Sequence, residues 1–116
     1  MKKIIIFLTL TILSISLFAQ YDSLWTQVYG GGNSDRCNSV IETSDSAYLL
    51  AGETASYGAG GADFWIIKTD TSGGTLWTKT FGGGNDDICE SVIDTSDSCY
   101  LLAGYTESYG AGSSDF

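Results

Sequence analysis

The chain has 116 residues, enough for one domain at most, with 15 Gly, no Pro, no His, three Cys and 14 acidic residues against 5 basic ones, a formal net charge of −9. That acidic balance argues against a nucleic-acid partner, because phosphate contacts need clustered cations. The absence of His excludes a Ser/His or Cys/His catalytic pair, the usual zinc sites and a charge switch near neutral pH.

The chain opens with Lys2 and Lys3, followed by an almost wholly apolar run of 15 residues, 4–18, then Ala19 and a polar stretch from Gln20. A short basic region, an apolar run and a small residue predict a secretory signal cleaved after Ala19. The run is shorter than the roughly 20 residues a membrane helix needs, and no later apolar run replaces it, so no membrane span is expected after cleavage. The remaining 20–116 keep Arg36, Lys68 and Lys79 against all 14 acids, 3 − 14 = −11. They are rich in Gly, Ser, Thr, Tyr, Val and Ile and poor in helix formers, which is the composition of strands and turns.

A repeat organises everything after the leader. Trp25-Thr26 recurs as Trp77-Thr78, Gly30-Gly31-Gly32-Asn33 as Gly82-Gly83-Gly84-Asn85, Cys37 as Cys89, and Tyr48-Leu49-Leu50-Ala51-Gly52 as Tyr100-Leu101-Leu102-Ala103-Gly104, each offset by 52. Residues 25–64 align with 77–116 without a gap, and 28 of the 40 positions are identical. A period near 50 points to a propeller blade or another repeat array.

In chain order, an outer strand is expected over 24–29, within a boundary segment 20–29. One complete unit then spans 30–81 and a partial second unit 82–116. The complete unit holds a first strand at 37–42, a turn at Thr43-Ser44-Asp45-Ser46 and a second strand at 47–52. A loop over 53–62 leads to a third strand at 63–69, and the turn Asp70-Thr71-Ser72-Gly73-Gly74 to a fourth at 75–81. Phe64-Trp65-Ile66-Ile67 and Leu49-Leu50-Ala51 are apolar on both faces, where a sheet with one wet face would alternate apolar with polar. Each sheet therefore needs cover on both sides, and stacking four-stranded sheets radially around a channel provides it without helices.

The runs Trp-Thr-Lys-Thr-Phe-Gly-Gly-Gly-Asn-Asp-Asp (77–87), Ser-Val-Ile-Asp-Thr-Ser-Asp (91–97), Tyr-Leu-Leu-Ala-Gly-Tyr-Thr (100–106) and Asp-Phe-Trp-Ile-Ile-Lys-Thr-Asp (63–70) resemble the blade repeats of secreted bacterial and archaeal β-propeller proteins, of the seven-bladed type. Where that family has Asp-Gly-Gly-Tyr before the second strand, this chain reads Asp45-Ser46-Ala47-Tyr48 and Asp97-Ser98-Cys99-Tyr100. The resemblance implies an all-β fold of four-stranded antiparallel blades on a secreted or cell-surface protein, commonly one part of a longer polypeptide. Propellers use about four to eight blades, and 52 residues each would require 208 for four, more than the 97 of residues 20–116. About one and a half blades are present, so the expectation is an incomplete propeller that is a fragment or needs further blades or self-association to close.

In such a meander the loops after the second and fourth strands emerge at one end. That rim carries Tyr57, Asn85, Asp86 and Asp87, with Tyr109, Asn33 and Asp35 as repeat partners. A glycine-rich, acidic, tyrosine-bearing rim suits calcium, a sugar or a protein, and Tyr57, Tyr109, Asp35, Asp87, Asn33 and Asn85 form the candidate binding set. The competing reading is structural: Asp35, Asp63, Asp87 and Asp115 accept hydrogen bonds from loop amides and fix the bends. The segments from Asp94 and from Asp70 lack the calcium-loop spacing with a distal Glu, and the triple glycines lack the Lys of a phosphate loop. No cofactor, metal set or catalytic residue is therefore expected, calcium being the one ion considered. Trp25, Trp65 and Trp77 recur at strand positions and read as packing residues.

Cys37 and Cys89 hold equivalent places in successive units, too far apart for the about 7 Å Cα limit of a disulfide. With Asp94 opposite Cys99 in the second hairpin, Cys89 faces Gly104 rather than Cys99, so no bridge is expected. Two functional classes remain. One is a non-catalytic interaction scaffold with a protein or polysaccharide partner. The other is the propeller domain of an extracellular carbohydrate-active enzyme. Near-identical units favour the first, because active sites are built from residues that break a repeat.

Overall fold

A computed structural model describes residues 25–95 and 97–116. The expected leader, its cleavage point after Ala19 and the start of the expected outer strand lie outside the described residues. Among the described residues the fold is all-β without a helix, and no helix is long and apolar enough to cross a membrane.

Six strands form in chain order: β1 (Asp35–Glu42), β2 (Tyr48–Thr54), β3 (Asp63–Thr69), β4 (Thr75–Phe81), β5 (Asp87–Asp94) and β6 (Tyr100–Thr106). β1 to β4 make one antiparallel sheet in sequential order, and β5 and β6 make a second, two-stranded one. β3 and β4 have the bounds expected from sequence. β1 starts two residues earlier than expected because Asp35 and Arg36 pair with Thr54 and Glu53, which also extends β2 beyond Gly52. Residues 25–30, which cover most of the expected outer strand, form no ladder. Their repeat counterpart in β4 hydrogen-bonds to β3, and no third-strand counterpart stands beside them among the described residues.

Each first hairpin is closed by a turn that uses serine where glycine is the easier residue. Ser46 and Ser98 sit at φ 61° and 64°, in the left-handed region, at a cost of about 1–2 kcal/mol for an L-residue. The turn holds because Thr43 N donates to Ala47 O at 2.9 Å and Ser46 N to Thr43 O at 2.9 Å, and because the buried Thr43 hydroxyl donates to Ala47 O at 3.1 Å.

A bulge interrupts β1 between Cys37 and Ser39, and β5 between Cys89 and Ser91. Cys89 faces Gly104 as expected, but the bulge moves the rest of the register by one residue, so Asp94 faces Tyr100 and not Cys99. The bulge presses the Arg36 carbonyl onto Gly52: a Cβ there would lie 1.9 Å from that oxygen, and at Gly104 1.9 Å from the Ile88 carbonyl. Only glycine admits so close a backbone approach. Cys37, Cys89 and Cys99 are all free thiols, and burial raises the Cys89 thiol pKa above its ordinary value.

The second sheet lies across one face of the first. Leu49, Ala51 and Ile66 meet Cys89 and Val92 in a buried cluster, with Ile41, Phe64, Trp77, Tyr100 and Leu102 around it. Burying a side chain such as Leu49 or Ile66 contributes about 1.5–3 kcal/mol. Polar groups stitch the same seam. Asn38 Nδ2 donates to Cys89 O at 2.9 Å, Val92 N to Ser39 Oγ at 3.4 Å and Ser44 N to Asp94 Oδ2 at 2.8 Å. Lys68 Nζ donates to Asp45 Oδ2 at 2.6 Å and to the Tyr100 hydroxyl at 2.9 Å. The cover expected on both faces is thus present on one. Among the described residues the opposite face of the first sheet is crossed only by residues 25–29, with Trp25 tilted on Tyr48 at 6.2 Å.

Candidate functional site

The loops 30–34, 55–62, 82–86 and 107–114 adjoin one another along one edge of the molecule. Asn33 N donates to Ser56 Oγ at 3.0 Å, Ala62 N to Asp86 Oδ1 at 2.8 Å, and Asn85 N to Ser108 Oγ at 3.1 Å. The loops after β2 and β4 therefore do share one rim, as the meander requires.

Within this rim each unit builds the same clasp. Asp35 takes the hydroxyl hydrogen of Thr54 on Oδ1, and on Oδ2 the Ser56 hydroxyl at 2.8 Å and the Gly31 amide at 2.9 Å. Asp87 does the same with Thr106, with Ser108 at 2.6 Å and with the Gly83 amide at 2.8 Å. The threonine oxygen then accepts two amides of the following loop, Ser56 and Tyr57 at 3.1 and 3.2 Å, or Ser108 and Tyr109 at 3.1 and 3.2 Å. Sequence pattern reaches this arrangement halfway. Turn chemistry points to the aspartates and the loop amides, but Thr54 and Thr106 are strand residues about twenty positions away, and their part becomes visible only once β1 and β2, or β5 and β6, are paired.

The other candidates are tied into the same framework. Asn33 and Asn85 donate through Nδ2 to the carbonyls of Ala55 and Glu107 at 3.0 and 2.9 Å. Tyr57 and Tyr109 donate their hydroxyls to the carbonyls of Gly30 and Gly82 at 3.1 and 2.9 Å. Their rings nevertheless stay 49% and 64% exposed, and that of Tyr57 lies 5.4 Å from Trp65. The Trp65 indole N–H donates to Thr78 Oγ1 at 2.7 Å, and Trp77 tilts on Tyr100 at 6.4 Å, so the tryptophans serve packing.

The electrostatics follow from these bonds. Hydrogen bonds from Thr54 and the Gly31 amide hold the Asp35 carboxyl below its ordinary pKa. Burial pushes Asp87 upward, but the bonds from Ser108, Thr106 and the Gly83 amide outweigh it and leave the group lowered. Both groups are therefore carboxylates at neutral pH, with their lone pairs directed at their own loops. Asp63 is buried in the same rim, accepts the Ala59 amide on Oδ2 at 2.8 Å and leaves Oδ1 without a partner. Gly82 lies where Asp63 and Asp87 converge: a Cβ there would sit 1.9 Å from Asp63 Oδ1 and 2.7 Å from Asp87 Oδ2.

In the two segments weighed as calcium loops, Asp70 and Asp97 bond within their own turns, while Asp94 Oδ2 accepts Ser44 N across the seam. Asp70 Oδ1 accepts Ser72 N at 2.8 Å, Ser72 Oγ at 2.7 Å and Gly74 N at 2.9 Å, and Asp97 Oδ1 accepts the Thr95 hydroxyl. Among the described residues no three His, Cys, Asp or Glu side chains converge as a metal set. What the rim offers outward is two tyrosine side chains, repeated at a spacing of 52 residues, each bonded through its hydroxyl to a glycine carbonyl beside a carboxylate clasp. Compared with family models, curated proteins and solved structures, the chain matches none.

Proposed function

We propose that this chain is an exported, acidic, non-catalytic binding module built from β-propeller-type blades, holding a protein or polysaccharide partner on the rim around Tyr57 and Tyr109. The observation that carries this reading is the duplicated clasp, beside which two tyrosines make the same hydroxyl bond and stay about half or more exposed, Tyr57 with its ring also against Trp65. A rigid aromatic ring presents a large contact area at little conformational cost. Identical sites on successive units suit a partner that is itself repetitive, because linked weak sites add through effective concentration. The acidic side chains of the rim serve mainly as its framework.

The test is binding of the chain to a panel of insoluble and soluble polysaccharides and to immobilised extracellular proteins. Tyr57→Ala with Tyr109→Ala is expected to lower binding at least tenfold with the thermal midpoint nearly unchanged. The two Tyr→Phe changes are expected to retain most of the affinity, because the ring remains and only one surface hydrogen bond per site is lost. A large loss of stability in the Ala pair would make the tyrosines structural, and glycosidase or lyase activity in the unmodified chain would transfer the case to a carbohydrate-active enzyme.

A further inference from the structure

We propose that the outward face of β5 and β6 is a docking surface for a second copy of this chain, received on the open face of that copy's four-stranded sheet. Copies would stack head to tail in the arrangement the two sheets already adopt inside one molecule. This surface arises from the repeat and is independent of the rim.

One chain contains both halves of a single interface twice. Inside the molecule, Leu49 and Ala51 on the first sheet are covered by Cys89 and Val92 of β5. The covered half recurs as Leu101 and Ala103 on the outward face of the second sheet, and the covering half recurs as Cys37 and Val40 on the open face of the first. The side chains are identical and only their neighbours differ. Leu49 is 0% exposed and Leu101 60%, and Val92 is 2% exposed and Val40 62%. Surfaces that fit each other once within the chain are complementary again between chains, and two different patches that match head to tail form a heterologous contact.

Among the described residues the approach is open. Residues 25–29 lean on Tyr48 as β4 leans on Tyr100, with Trp25 and Trp77 at 6.2 and 6.4 Å from their tyrosines. They therefore occupy the place of a preceding unit's outer strand and leave clear the inner positions that an incoming β5 and β6 would take. A groove of about 560 Å³, lined by Trp25, Val28, Val40 and Leu50, lies between them and the sheet.

The polar seam sets the strength of the contact. The bond from Val92 N to Ser39 Oγ has its counterpart between Val40 N of the second copy and Ser91 Oγ of the first. The bond from Asn38 Nδ2 to Cys89 O has none, because Glu90 stands at the position of Asn38 and a carboxylate has no hydrogen to give the Cys37 carbonyl. Stacking between copies is accordingly weaker than stacking within one, and Glu90→Asn supplies the missing donor.

Sedimentation velocity on the full chain over a range of concentrations tests this with three variants: Ile93→Lys with Leu101→Lys, Val40→Lys, and Glu90→Asn. All four side chains are solvent-exposed, and circular dichroism melts verify that the fold is kept. Wild type is expected to grow beyond a dimer with concentration. Each lysine variant alone is expected to stay monomeric, and an equimolar mixture of the two should form a one-to-one dimer that grows no further. Glu90→Asn should lower the association midpoint about fivefold. Association unaffected by either lysine variant, failure of the mixture to pair, absence of any association in wild type, or no tightening by Glu90→Asn would each overturn the proposal.

Discussion

Leu49 and Leu101 occupy the same place in two copies of one unit, within the same five-residue run, yet one is fully buried and the other mostly exposed. Val40 and Val92 reverse the order, the first unit now holding the exposed member. The contrast shows that burial in a stacked repeat belongs to the seam between units and not to the residue: each sheet is covered by the next unit or by the preceding one. The rim behaves differently. The clasps of Asp35 and Asp87 close within a single unit, through its own first two strands and their flanking loops, and are therefore nearly the same in both. One molecule thus contains two kinds of repetition, a local one whose bonds are made within each unit and a packing one that depends on the neighbouring unit.

The strongest way to break this comparison is to truncate equivalent leucines. Leu49→Ala is expected to destabilise the chain by about 2–5 kcal/mol, through lost burial and the cavity left behind. Leu101→Ala in monomeric chain should cost less than about 0.5 kcal/mol, as exposed substitutions do. Urea or thermal denaturation of both variants decides the matter, and equal losses would show that the second sheet is covered on both faces in solution.

The local repetition can be probed next at its aspartates. Asp87→Ala removes the acceptor of two hydroxyls and an amide in a clasp whose carboxyl is buried, and each buried donor left without a partner costs about 1–3 kcal/mol. Asp35→Ala breaks the equivalent bonds at a more open site and is expected to lower the thermal midpoint by less. A larger effect at Asp35 would contradict the ordering.

Acid tests both clasps together. Asp35 and Asp87 have lowered pKa values in the folded chain, as do Asp45, held by Lys68 and Thr43, and Asp70, held by Ser72 and the Gly74 amide. A depressed carboxylate contributes stability that is fully present above its unfolded pKa, about 3.9 for Asp, and is lost as the pH falls through the folded value. Thermal midpoints are therefore expected to be flat from pH 7 to about 5 and to fall steeply below about 4. Asp87→Asn should make the fall shallower.

The smallest expected effect sharpens the comparison at the turns. Ser46→Gly and Ser98→Gly each relieve a left-handed backbone and should stabilise by about 0.5–1 kcal/mol after the greater chain entropy of glycine is counted. Equal gains at the two positions would show that these turns are set within each unit, as the clasp bonds are. Differential scanning calorimetry resolves shifts of this size.

Much of the architecture is legible in the residues. The period of 52, the two turns with Thr-Ser-Asp-Ser, and the bounds of β3 and β4 follow from local composition, because strand and turn preferences act over a few residues and the duplication repeats them. The aspartates are recognisable as loop acceptors for the same reason. Cross-strand structure is not legible in this way. The bulges at Asn38 and Glu90 set Glu42 opposite Tyr48 and Asp94 opposite Tyr100, and they depend on a carbonyl meeting a glycine from the neighbouring strand. The threonine arms of the clasps likewise arise from pairing over about twenty residues. Sequence alone therefore determined the unit, its turns and its apolar sides. Tertiary structure alone decided which copy of each apolar side is buried, because burial requires a second surface, and the identical residues of the two units meet different ones.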